Sequence, residues 1–367
     1  MTANQANGPS SRSRIDRLRL CFSRLKADAF LVSHLPNIQY LCGFTGSAAL
    51  FLVEASESTL YTDTRYTFQA REEVTGARVK IAHRGLIDAL GNDLRARRGR
   101  RRVAYAAAHV TVAQKSALEA AGGSGIRWVS GGDSIERLRA VKDASELRTM
   151  REAAILISEV VAEAIPLIKP GISELELAAE IEHAIKRKGA SGPSFESIVA
   201  SGTRSAWAHA RPTSKPLRKN ELVVMDQGAI LRGYCSDLTR TVFLGRASAK
   251  VQRLYRAVLE AQEAARSAIR PGVTAGEVDA AARRVLKGYG LAKCFTHSTG
   301  HGLGLEIHEM PRLGRGEKTP LEQGMVVTLE PGVYLDGLGG IRIEDEVVIT
   351  PTGALNLTTA KRDFVEL

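Results

Sequence analysis

The sequence predicts an α/β domain followed by an α+β domain with an internal pseudo-twofold duplication. Three observations carry this. The chain has 367 residues, about enough for two or three domains. Short apolar runs alternate with helix-period segments as far as about Leu138. Beyond it, Ile168-Lys-Pro-Gly-Ile-Ser-Glu-Leu-Glu176 returns as Ile269-Arg-Pro-Gly-Val-Thr-Ala-Gly-Glu277, and the match runs ungapped to Gly189 and Gly290. The expected division is a disordered tail over residues 1–13, the α/β domain over 14–138 and the α+β domain over 139–367.

In the first domain, apolar positions at helical spacing mark Arg14–Leu25 as helix, and Ala29–Ser33 as a short strand. Strands over Ala48–Val53 and Thr59–Thr62 follow, then a polar helix from about Arg65. Leu86–Arg98 reads as helix, Arg102–Ala106 as strand, Val110–Ala121 as helix and Ile126–Val129 as strand. No cluster of His, Cys and carboxylates is visible there, so the domain is expected to carry no chemistry of its own. The second domain opens on a long helix over Ala144–Leu167, with Asp143 as its cap. In both copies of the repeat, Pro-Gly ends one helix and Ser173 or Thr274 caps the next.

Composition excludes several classes. Hydrophobic residues at 44% and charged residues at 25% are the mix of a globular protein, not of a disordered or collagen-like chain. The longest apolar runs, such as Ala48–Val53 and Val103–Ala108, are strand-length, too short to span a bilayer, which takes about 18 residues. An arginine every few residues from Arg14 to Arg24 leaves no apolar core for a signal peptide. Cys21, Cys42, Cys235 and Cys294 are scattered without a CxxC, which reads as reduced thiols in a cytoplasmic protein. The net charge of +11 is concentrated in Arg95, Arg97, Arg98, Arg100, Arg101 and Arg102. That run has no aromatic neighbours and no nucleic-acid motif, so it reads as a solvated loop. Neither nucleic acid nor membrane is expected as a partner.

Each half of the duplication continues into a segment with two carboxylates. Leu222–Ala229 and Tyr234–Phe243 are strand-like, and a hairpin about Leu231–Arg232 sets Asp226 opposite Asp237. Val326–Glu330 and Ile341–Glu344 flank a Gly-rich stretch, and a turn centred on Gly337 sets Glu330 opposite Glu344. Opposed cross-strand side chains lie about 5 Å apart at Cβ, and like charges so placed are destabilising. Taken singly, each acid could face solvent with Arg240 or Arg342 beside it; four in matching places of two halves fit metal ions better.

Five of the eight histidines, His183, His209, His297, His301 and His308, lie in the second domain. Three crowd into His297-Ser-Thr-Gly-His301-Gly-Leu-Gly-Leu-Glu-Ile-His308, whose glycines disfavour a regular helix and allow close backbone approach. His183 falls on an amphipathic helix and reads as a surface residue. A histidine cluster beside four carboxylates serves a metal or catalysis. Oxygen donors with an imidazole suit Mn, Co, Fe or Zn, and a pair of such ions is a hydrolase arrangement.

Asp226, Cys235-Ser-Asp237-Leu-Thr-Arg-Thr241, Thr299-Gly-His301-Gly-Leu-Gly-Leu-Glu-Ile-His308-Glu, Leu329-Glu330-Pro-Gly and Arg342-Ile-Glu344-Asp resemble the pita-bread metallopeptidases. The closer likeness is to the Xaa-Pro branch, aminopeptidase P and prolidase. Asn37-Ile-Gln-Tyr-Leu-Cys-Gly-Phe44 and Thr62-Asp-Thr-Arg-Tyr66 resemble its creatinase-like N-terminal domain, so the likeness covers nearly the whole chain. The resemblance implies a dinuclear-metal exopeptidase that cleaves between an N-terminal residue and a following proline. It implies two divalent ions, Mn first and Co, Zn or Fe as alternatives, on Asp226, Asp237, His301, Glu330 and Glu344. Asp237 and Glu344 would be shared by both ions, and Glu330 would also move a proton. His209 and His308 would steady substrate and oxyanion, His297 would help line the proline pocket, and Tyr334 and Arg342 would bind substrate from positions around the site. Proline-containing peptides are the implied substrate and a homodimer the implied assembly. Gln227 follows the first acid where many members have an apolar residue, and Ala210 follows His209 where glycine is common, which bears on substrate preference. A creatinase-like hydrolase or a non-catalytic peptide-binding module of the same fold would lack the ligand set, which is complete here.

Overall fold

A computed structural model of the chain describes residues 11–97 and 99–367. Residues 1–10 of the expected tail lie outside the described residues, and its last three belong to the helix Ser11–Arg19. The chain divides into two compact units, one ending at Arg139 and the other Ala140–Leu367.

The first unit is built on a mixed six-stranded sheet. Its strands, in spatial order, are Arg78–Ala82, Ser58–Asp63, Ala49–Glu54, Ala29–Val32, Arg101–Tyr105 and Ile126–Ser130. The middle strands are buried along their whole length, as Ala-Phe-Leu-Val and Ala-Leu-Phe-Leu-Val-Glu suggest for strands covered on both faces. Leu31, Leu52 and Val103 pack there against Leu90 and Leu94 of the helix Leu86–Ala96. The sequence reading passed over three short elements: the helix Leu35–Cys42, the edge strand Arg78–Ala82 and the helix Ser134–Ala140. Four arginines of the basic run are tied down. Arg97 and Arg101 both reach Glu54, Arg95 reaches Asn92, and Arg102 is held by Asp28 and Lys26.

The second unit shows the duplication as two helix pairs and two antiparallel sheets. The helices Ala144–Ala164 and Glu174–Arg187 pack on the three-stranded sheet Ile198–Ser201, Glu221–Gln227, Leu238–Leu244. The helices Ala249–Ala268 and Ala275–Gly288 pack on the second half, which contains Val326–Leu329 and Asp345–Ile349. Asp143, Ser173 and Thr274 each close a capping box, with Glu146, Glu176 and Glu277. The long first helix gives way at Ile165–Leu167 to a tighter turn at Pro166, whose ring cannot continue the ladder.

The two hairpins bear out one expected register and correct the other. Gly332 faces Arg342 and Leu335 faces Gly339, while Leu329 faces Asp345 in the adjoining ladder. Both ladders share one register, which sets Glu330 opposite Glu344 as expected. In the first hairpin, Asp226 faces Thr239 rather than Asp237. The turn sits one residue later, on Arg232 at φ 49° and Gly233 at φ 86°. A two-residue hairpin of this kind needs positive φ at both central positions, and glycine takes one of them without strain. The slip amounts to two residues in pairing, so Asp226 and Asp237 still share a face.

Candidate metal centre

The two hairpins meet edge to edge. Glu344 N–H donates to the Thr239 carbonyl at 3.2 Å, and the Thr241 hydroxyl donates to the Arg342 carbonyl at 2.8 Å. This joins strands more than 100 residues apart and gathers Asp226, Asp237, His301, Glu330 and Glu344 around one cavity of about 300 Å3, with His209 and His308 also on its walls. Asp237, His301 and Glu344 each bring one ligand atom within 4.8 Å of the others. His301 Nε2 lies 3.5 Å from Asp237 Oδ2 and 3.7 Å from Glu330 Oε1. Its Nδ1 faces the Gly302 carbonyl at 3.0 Å, which makes Nδ1 the donor and leaves Nε2 a lone pair aimed at the acids.

Glycine brings His301 close in. A Cβ at Gly300 would stand 1.9 Å from the Thr328 carbonyl oxygen, and one at Gly302 would stand 2.1 Å from that of Met310. Only glycine lets these backbones approach so nearly.

The acids are short of partners. Asp226 Oδ2 accepts from Arg342 at 2.6 Å while its Oδ1 is buried without a hydrogen bond. Glu344 Oε2 accepts from the Thr239 hydroxyl at 2.6 Å while its Oε1 is likewise orphaned. Burial raises the Asp237 carboxyl well above the usual range, and the nearby charges of Glu344, Asp226 and Glu330 add to it. Burial also raises Glu344, and pushes Glu330 up to about 8 despite the opposing pull of Arg342. Orphaned, mutually repelling buried carboxylates next to a neutral imidazole are a donor set suited to divalent cations. Burial lowers His301 to about 4, so its ring is an uncharged donor at neutral pH.

His297, Tyr334 and Arg342 stand behind the cavity wall. His297 Nε2 lies 2.8 Å from the Tyr334 hydroxyl and its Nδ1 is 4.0 Å from Glu330 Oε2. Arg342, expected around the substrate, is only 3% exposed. It donates to Asp226, the Tyr334 hydroxyl, the Thr239 hydroxyl and the Ala208 carbonyl. A guanidinium so committed orients Asp226 and Tyr334 rather than reaching a ligand in the cavity. Arg240 is not a partner of the four acids either; it pairs with Asp345 at 2.7 Å. His183 is exposed on its helix, as expected.

Sequence reasoning missed Thr239, Glu346 and the apolar wall of Phe195, Ile198 and Ile307. Glu346 Oε1 accepts the Asp237 N–H at 2.8 Å. Thr239 and Glu346 each follow a candidate ligand by two positions, the strand period, and that alternation could have marked them.

The first unit does hold a cluster after all. His34, His109 and Glu136 converge from distant segments. The two imidazoles stack with centroids 3.7 Å apart and planes within 10°, and Glu136 Oε1 already accepts from Asn37 and faces His109. Nitrogen lone pairs lie in the ring planes, so parallel stacked rings do not aim at one ion.

Comparison with known proteins gives matches over both units. The model for metallopeptidase family M24 matches residues 148–351, and that for the creatinase/prolidase N-terminal domain matches residues 14–141. An uncharacterized peptidase of Bacillus subtilis, YqhT, is 37% identical over 354 residues, covering 96% of this chain and 100% of its own. An Xaa-Pro dipeptidase of Pyrococcus furiosus is 44% identical over 233 residues, 64% of this chain and 67% of its own. Among solved structures, an Xaa-Pro dipeptidase from Bacillus anthracis aligns at TM-score 0.92 and 35% identity, covering 98% of this chain and 100% of its own. An X-Pro aminopeptidase from Thermotoga maritima aligns at 0.88 and 35%, covering 96% and 100%.

Proposed function

Because this chain belongs to metallopeptidase family M24, we propose that it hydrolyses the peptide bond between an N-terminal residue and a following proline. The observation that carries the reading is the set of Asp226, Asp237, His301, Glu330 and Glu344 around one cavity, with orphaned carboxylate oxygens on Asp226 and Glu344. These five residues would hold two divalent ions, manganese first among Mn, Co, Zn and Fe. Bound there, the ions would supply Lewis acidity, polarising a carbonyl and acidifying a water.

The protein's own groups do the rest. Glu330 is the least buried of the four acids, its side chain 18% exposed, and so is the one placed to pass a proton between cavity and leaving nitrogen. His209 and His308, both on the cavity wall, would stabilise the charge that builds up on a peptide carbonyl oxygen. His297, backed by Tyr334, stands just behind the cavity wall beside Glu330, on the side where the proline ring would sit. Arg342 keeps Asp226 and Tyr334 in place from behind. Phe195, Ile198 and Ile307 supply the apolar part of the cavity wall.

The test is a peptide-length series of Xaa-Pro, Xaa-Pro-Yaa and longer substrates, assayed with each of Mn, Co, Zn and Fe. Release of the N-terminal residue only when proline follows it is the expected outcome; equal cleavage of an Xaa-Ala control removes the Xaa-Pro assignment. A homodimer is proposed with it, on the strength of the resemblance, and light scattering of the active enzyme at monomer mass removes that part.

A further inference from the structure

The helix Ala275–Gly288 carries a buried ion pair that no step above uses. Asp279 is 1% exposed, and its Oδ2 accepts from Arg283 Nε at 2.7 Å, one turn further on. Both residues also grip the segment leading into His301. Asp279 Oδ1 accepts the Thr299 N–H at 3.2 Å and the Thr299 hydroxyl at 2.9 Å. Arg283 donates to the Phe295 carbonyl at 3.1 Å and to the His297 carbonyl, and its guanidinium lies 4.2 Å above the centre of the Phe295 ring. Two side chains therefore hold residues 295, 297 and 299 of a stretch without regular secondary structure. The Thr299 carbonyl in turn accepts the Glu330 N–H at 2.8 Å, and His301 follows two residues later.

We propose that Asp279 and Arg283 are positioning residues of the metal centre, Arg283 for the His297 imidazole and Asp279 for His301 and Glu330. The proposal rests on the peptidase reading of the cavity. Neither residue is among those lining that cavity, so neither touches substrate. Stability alone does not call for an ion pair here, because a well-packed apolar pair of similar volume is often as stabilising as buried charges. What apolar side chains cannot supply is direction. Four of the hydrogen bonds run to defined backbone or hydroxyl atoms, and they set where the backbone of His297 and Thr299 lies. His297 is coupled onward through Tyr334, and Thr299 through Glu330, so the two halves of the clamp control different sides of the site. A displacement of about 1 Å at a reacting group can lower rate by as much as about a hundredfold.

The two halves predict different losses. Arg283→Gln should leave manganese affinity at the wild-type level and raise KM for an Xaa-Pro dipeptide about tenfold, with kcat changed by less than about threefold. Arg283→Lys, which can reach one carbonyl but not both, should fall between. Asp279→Ala frees Thr299 and should weaken manganese binding about tenfold, as loss of an outer support does at other metal sites. Asp279→Asn keeps the Oδ1 acceptor but loosens Arg283, so it should retain manganese and resemble Arg283→Gln. If Asp279→Ala does not fold, Thr299→Val removes the same hydroxyl contact and takes its place. Manganese binding by titration calorimetry, thermal midpoint and the two kinetic constants are read on the full chain. Variants with lowered midpoints but wild-type manganese affinity and KM would show a purely structural pair and overturn the proposal. A wild-type enzyme that binds manganese yet cleaves no Xaa-Pro peptide fails the peptidase reading alone, and the manganese titrations of the Asp279 and Thr299 variants then decide the positioning role.

Discussion

His308 separates catalysis from metal binding. Its ring meets that of His301 edge-on with centroids 4.4 Å apart, and burial with the nearby His209 lowers its proton affinity, so it faces the cavity uncharged. It is not needed among the five residues proposed to hold metal. His308→Ala should therefore keep its metals and fold while turnover on an Xaa-Pro substrate falls by about 10²–10³. Turnover per metal-loaded chain near the wild-type value would make it a packing residue. Asp237 predicts the opposite pattern. Its Oδ2 lies 3.5 Å from His301 Nε2, and it joins His301 and Glu344 in a group whose ligand atoms lie within 4.8 Å of one another. Asp237→Ala should lose both ions together, and elemental analysis showing undiminished metal would sink its assignment.

At the scale of elements, the site depends on backbones that touch. The strand Gly300–Gly302 lies against Val326–Leu329, and the oxygen that a Cβ at Gly300 would meet at 1.9 Å is a backbone atom that cannot swing away. Gly300→Ala should thus push His301 out of place, cost about 2–3 kcal/mol of stability and lower metal content. Urea unfolding and metal analysis on the same preparation check both, and a variant unchanged in each would mean that the strands can part freely. The hairpins make a related point about legibility. Gly337, at φ 73°, marks the centre of the second turn, and the pairing read from it holds through Glu330 and Glu344. In the first, the turn sits on Arg232 and Gly233, one residue beyond the expected Leu231–Arg232, and Arg232 is an uncommon residue at positive φ.

At the scale of the whole second unit, the buried acids link metal to pH. Asp237, Glu344 and Glu330 have their proton affinity raised in the folded, metal-free protein. A raised acid contributes stability that is fully present below its unfolded value, about 4, and is lost as pH climbs through its folded value, about 8 for Glu330. His297 and His301 are lowered to about 4, so their contribution is lost as pH falls below about 6.5, the unfolded value. Of these groups only the acids still titrate above about 6.5, and through them the metal-free protein should lose stability from there to pH 8. Divalent ions replace the missing protons, so the rise in thermal midpoint on adding manganese should grow over that interval. Thermal scans with manganese or with chelator at several pH values test this, and a manganese increment that shrinks with pH would contradict it.

The sequence by itself determined what local chemistry controls. Helix starts at Asp143, Ser173 and Thr274 follow from capping side chains three residues from their partners, and the second hairpin follows from a Gly-rich turn between strands of fixed parity. The residues now around the cavity could also be named, because a family motif carries residue types in order. Only the tertiary structure decided how they meet. Thr239 against Glu344, Arg342 against Asp226 and Glu346 against Asp237 each span more than 100 residues. Their pairing arises where the strands of one half run beside those of the other, and no periodicity within either segment encodes that. The same reason hid the true surroundings of Arg342: its charge was legible, but whether that charge faces a substrate or a buried carboxylate depends on which chain packs over it.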